Sequence, residues 1–170
     1  MSKDLDERAD FYEYDRLESK LNLEEISYKE ILFISISFIK KIALAELNKN
    51  EIGLSHKYIN IVLDAIDIVT NLENKSEEFK IYEFERVKIW KYHHEIQDKM
   101  SLDKLFLRVS VCCFFDESFA IKDSIHYNVE DVLDNLYTLL YELEPKLCKQ
   151  FTDHVLSSIC PLQTDSLNKK

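Results

Sequence analysis

His93, His94 and Asp98 come nearest to a metal-ligand pattern in this sequence. His94 and Asp98 are four residues apart and share a face if the helix runs through them, while His93 points elsewhere. Two ligands make half a site, because a zinc centre needs at least three protein ligands. Asp123 and His126 stand three apart, but this pairing occurs once, in a segment without a clear pattern. Helical di-iron proteins need two Glu-x-x-His pairs on facing helices, and the chain has none. It also lacks a His-Asp dipeptide and a His-Glu-x-x-His run. Tyr92, His93 and His94 are therefore read as helix-surface or core-edge residues, and neither metal nor cofactor is expected.

Nucleophiles fare no better. Cys112, Cys113, Cys148 and Cys160 show no Cys-x2-Cys spacing. The run Val111-Cys112-Cys113-Phe114-Phe115 is apolar, which raises a thiol pKa and quiets the sulfur. The N-terminus is charged and has no apolar leader, so a cytoplasmic protein with reduced, structural thiols is expected. The single glycine, Gly53, rules out Gly-rich phosphate loops and the Gly-x-Ser-x-Gly elbow. Glu24/Glu25, Glu77/Glu78 and Glu130/Asp131 are paired carboxylates, but each pair opens a helix, where capping and the helix dipole account for it. The expectation is that the chain is not an enzyme.

The elements behind these residues read as helices throughout. One glycine and two prolines in 170 residues leave almost no material for hairpin turns. The expected architecture is all-α, a single-domain bundle of about six helices around a buried central helix at about 24–48. That helix is apolar on nearly every side from Ile31 to Leu47, interrupted by Ser35, Ser37, Lys40, Lys41 and Glu46. With lysines inside it, it is too short to span a membrane. Asn22 with Glu25 makes a capping box for its start, and Asn48–Asn50 with Gly53 supply its stop.

Ser55, Ser76, Ser101 and Asn128 are read as the caps of the following helices. The helix after Ser76 is given an inward stripe of Phe79, Tyr82 or Ile81, Phe84, Val87, Trp90 and then His93 or His94. Phe119 to Tyr127 reads as a helical turn and a loop. The last helix ends at Cys160–Pro161. The domain plan is an acidic arm or short helix at 1–20, the helical domain at 21–162 and a flexible tail at 163–170.

The formal net charge is −10 and the pI is near 5.0. Such a field repels nucleic acid and anionic membranes and speeds encounter with a basic protein. Three stretches set aromatics among carboxylates. The first is Tyr12, Glu13, Tyr14 and Asp15 in the arm. The second is Asp116 and Glu117 before Phe119. The third is Tyr127, Glu130, Asp131 and Asp134 at the start of the fifth main helix. Aromatics anchor interfaces while surrounding carboxylates meet Lys or Arg across them. These ten charged and tyrosine residues are the candidate partner-binding set, and the partner expected is a basic protein.

A small, acidic, all-helical chain without catalytic residues resembles the immunity proteins of bacterial toxin systems, including contact-dependent inhibition systems. The resemblance lies in size, charge and helicity, and no motif carries a residue role across. It implies a protein that binds and neutralises a cognate toxin domain, such as a nuclease. The alternative is a helical adapter or scaffold that works through an apolar surface, as a homodimer for instance.

Overall fold

The chain places seven α-helices in sequence in a computed structural model that describes residues 8–72, 78–114 and 128–167. They are α1 (Ala9–Glu18), α2 (Tyr28–Lys49), α3 (His56–Thr70), α4 (Glu78–Glu95), α5 (Leu102–Cys112), α6 (Val129–Leu143) and α7 (Lys146–Leu167), with a 3-10 turn at Leu23–Glu25. The fold is an all-α bundle. Helix α2 runs through the core, packed on α3 and α7. Helix α6 is a second hub, touching α1, α5 and α7. A line of rings ties these layers together. Phe38 of α2 meets Phe151 of α7 at 5.1 Å, Phe151 meets Tyr137 of α6 at 5.3 Å, and Tyr137 meets Tyr14 of α1 at 5.8 Å.

Helix α2 is nearly as apolar in place as in sequence. Ile31, Ile36, Phe38, Ile39, Ile42 and Ala43 are buried, and only one side, with Phe33 and Leu44, stays exposed. Ser35, Ser37, Lys40 and Glu46 among its polar interruptions have partners. Ser35 donates to the carbonyl of Ile31 at 2.7 Å, and Lys40 reaches Asp67 of α3 at 2.6 Å. Its start differs from the sequence reading. Ser27, not Asn22, is the cap, and Ser27 and Glu30 form the capping box. Asn22 instead bonds Glu25 across the 3-10 turn at 3.0 Å. Both pairs have the same three-residue spacing, so the spacing alone does not choose between them.

The end of α2 falls as expected, with Asn50 in the left-handed region at φ 49°. Buried Glu46 then organises the following loop. Its carboxylate accepts the backbone N–H of Ile52 at 2.9 Å, of Gly53 at 3.1 Å and of Leu54 at 3.5 Å. Gly53 itself has φ 90°, which a side chain would strain. Glu46→Leu is expected to cost about 1–3 kcal/mol, because the N–H groups of half-buried Ile52, exposed Gly53 and buried Leu54 lose their shared acceptor. The check is the urea midpoint. Glu46→Gln, which keeps one acceptor oxygen, should lose less.

Other caps sort differently. Asn128 caps α6 in a full box with Asp131. Ser55 and Ser101 hold the cap positions of α3 and α5 without a side-chain cap bond. Ser55 is drawn away by Asp103, whose carboxylate accepts its N–H at 2.8 Å and its hydroxyl. Ser76 and Phe119–Tyr127 lie outside the described residues. Helix α7 continues past Cys160–Pro161 to Leu167. A proline's fixed φ suits a helix, and its missing N–H removes one hydrogen bond.

The largest departure is in α4. Phe84, Val87 and Trp90 are 67%, 58% and 40% exposed, while Glu85 and Ile89 are buried. Glu85 is paired inside with Lys88 at 3.1 Å. Helix α4 carries apolar residues on every side, so its periodicity cannot single out the packed face. The side chain of Phe79 lies outside the described residues.

Candidate partner-binding face

The N-terminal stretch is not a loose arm from Ala9 onward. Helix α1 lies antiparallel on α6, with Arg8 at Tyr141 and Tyr14 at Tyr137, and also packs on α7, with Leu17 fully buried. Arg8 sits over the rings of Phe11 and Tyr141 at 4.9 and 5.0 Å. It pairs with the carboxylate of buried Asp10. This docking divides the first candidate group. Glu13 is buried, with Arg16 at 2.8 Å, and Arg16 also holds Asp153 of α7 at 2.8 Å. Glu13 therefore leaves the surface set, because a helix that docks must turn some of its charges inward. Tyr12 and Asp15 face outward beside Arg8 and Arg16, so that side of α1 is mixed in charge.

Tyr14 turns the other way, to the start of α6. Its ring stands edge-on to Tyr137, and Glu18, one helical turn on, lies beside it. Burial first, then Glu18, Glu130 and Asp134, push its pKa well above the ordinary tyrosine value. The fold thus brings together Tyr14, Glu18, Glu130 and Asp134 from two helices far apart in sequence. Glu18, Glu130 and Asp134 are exposed. Asp131 is exposed too, but its carboxylate accepts the N–H of Asn128 as the return bond of the capping box, at 3.4 Å. Asp116, Glu117 and Tyr127 lie outside the described residues. Glu18 was missed in sequence, and its signal was the four-residue spacing from Tyr14.

His93, His94 and Asp98 do not converge. Helix α4 ends at Glu95, so Asp98 leaves the face of His94 and accepts the N–H of Met100 at 2.9 Å. His94 donates Nδ1–H to the carbonyl of Trp90 at 2.8 Å. His93 stacks flat on Trp90 at 4.5 Å. No group of three His, Cys, Asp or Glu side chains suited to a metal occurs among the described residues. Asp123 and His126 lie outside them.

His93 has a consequence for stability. Burial, then Lys104, His94 and Arg108, lower its pKa from 6.5 to about 4. Its Nδ1 is buried without a partner. Between these two values the unfolded chain takes up the proton more readily than the folded one. This contribution to stability is complete above pH 6.5 and is lost as the pH falls toward 4. Urea unfolding followed by Trp90 fluorescence, the only tryptophan, should show the fall, and His93→Phe should flatten it.

Three of the thiols sit in surroundings that disfavour the thiolate. Burial pushes Cys112 up to about 11 and Cys148 to about 12, and Cys113 well above its ordinary value.

A groove of about 630 Å³ between the 3-10 turn, α2 and α7 holds one Ser–His contact at its wall. Ser37 Oγ lies 2.7 Å from His154 Nε2. Its hydroxyl proton goes to the carbonyl of Ile34 at 2.8 Å, so the imidazole is the donor and does not activate the serine.

No helix among the described residues is long and apolar enough to cross a membrane. No protein-family model matches the chain, and no curated protein and no solved structure matches it.

Proposed function

We propose that this protein is a non-catalytic binding protein of the immunity kind, which neutralises a basic toxin domain through the face built from α1 and α6. One observation carries the reading: docking of α1 gathers Tyr14, Glu18, Glu130 and Asp134 into a carboxylate face around a tyrosine. Such a face suits a lysine- and arginine-lined cleft, as in a nuclease. The net charge of −10 strengthens long-range attraction to such a partner. The protein works in the cytoplasm in this reading, where a toxin domain would act.

The experiment is neutralisation. A toxin domain encoded beside the gene of this protein is expressed in cells with and without the chain. Growth rescue and a complex of purified components support the proposal, and the absence of both overturns it.

A second reading, an adapter acting through an apolar surface, draws on a different observation, the bare stripe of Phe84, Val87 and Trp90 on α4.

A further inference from the structure

Helix α4 lies at the edge of the bundle, packed on α5 and α3. Its outer side is unusual for a chain of net charge −10, because it mixes Phe84 and Val87 with Lys80, Lys91 and Glu95, all exposed. At 100° per residue, Lys80, Phe84, Lys91 and Glu95 fall within an arc of about 60°. They form one line along the helix, about 22 Å from end to end, with Val87 beside it. The structure gives Lys80, Lys91 and Glu95 no ion pair among the described residues, whereas Lys88 on the inner margin is held by Glu85.

This line is complementary to itself. A two-fold axis across α4 between Val87 and Lys88 sets an antiparallel copy so that Lys80 is level with Glu95 of the second copy. The same axis sets Phe84 level with Lys91 of the second copy. Each match occurs twice, as an isologous contact requires. A lysine ammonium over a phenylalanine face is an attractive contact in its own right. The Val87 side chains of the two copies meet beside the axis, and burying Phe84 and Val87 removes the most exposed part of the stripe from water.

We infer that the outer face of α4 is a homodimer contact, closed by antiparallel pairing of two copies about an axis between Val87 and Lys88. A second copy is the occupant because an unrelated partner gives no reason for charges matched about a two-fold. The contact uses none of the residues of the α1–α6 face, so either proposal can fail while the other stands.

The test is light scattering on the full chain over about 1–200 µM, the range of modest interfaces. The mass should climb from 20.2 kDa toward twice that value. Phe84→Glu should hold it at the monomer. Lys80→Glu and Glu95→Lys should each reduce the dimer several-fold at fixed concentration, and the two exchanges together should restore it. Circular dichroism monitors the fold. If Phe84→Glu does not fold, the charge-exchange series decides by itself, since Lys80 and Glu95 are exposed. A monomer at every concentration overturns the inference. So does a dimer that folded Phe84→Glu leaves intact, or one that the double exchange fails to restore.

Discussion

Phe38→Asp is expected to abolish the folded state. Phe38 is 1% exposed and touches Phe151 at 5.1 Å and His154 at 5.5 Å. Deleting a buried phenylalanine side chain costs about 3–5 kcal/mol. An uncompensated carboxylate in the same place adds several kcal/mol more. The sum reaches the whole stability of an ordinary domain, about 5–15 kcal/mol. The measurement is the helical signal and the hydrogen-exchange protection of purified variant. A soluble variant with wild-type helicity would show that α2 is not the core element. Leu32→Asp should act in the same direction, because Leu32 is also buried.

That α2 could be read from sequence has a plain cause. A helix apolar on all sides has one destination in a bundle, whatever its neighbours are. The stop at Asn48–Asn50 and the cap at Asn128 were legible for a similar reason, because each depends on bonds within a few residues. What was not legible depended on tertiary choice. Ser27 and Asn22 offer equivalent capping spacings, and packing selects the first. Ser55 is a capable cap whose hydrogen bonds go to Asp103, 48 positions away in sequence. The packed face of α4 is not legible because a helix with aromatics all round gives no preferred side, and the fold buries Glu85 and Ile89 rather than Phe84, Val87 and Trp90.

The candidate face was half legible. Composition pointed to Tyr14, Glu130 and Asp134. Nothing in composition shows that α1 docks antiparallel on α6 and so joins them. The same docking buries Glu13 against Arg16, a loss that sequence does not foretell, because an acidic side chain is ordinarily read as exposed.

The second large effect concerns recognition. Glu18→Lys with Asp134→Lys reverses two exposed carboxylates of the α1–α6 face. With the toxin domain as partner, the association rate should fall about tenfold or more at low salt and converge on the wild-type rate at high salt, as electrostatic steering requires. Stopped-flow mixing over a salt series reads this directly. Asp131 is left unchanged because it completes the cap of α6, and its loss would cost about 1 kcal/mol of helix stability and blur the result. Glu18 ends α1, where a lysine suits the helix dipole, so the fold should tolerate the exchange. Equal rates for variant and wild type at low salt would remove this face from the encounter.

In the proposed function the protein meets its target through the α1–α6 face. Hydrogen exchange of the complex with the toxin domain tests it most directly. Added protection should concentrate in Ala9–Glu18 and in the first turns of Val129–Leu143, with α4 unchanged by the toxin. Protection falling on α4 or along the groove beside Phe33, with α1 and α6 exchanging as in the free protein, would contradict it.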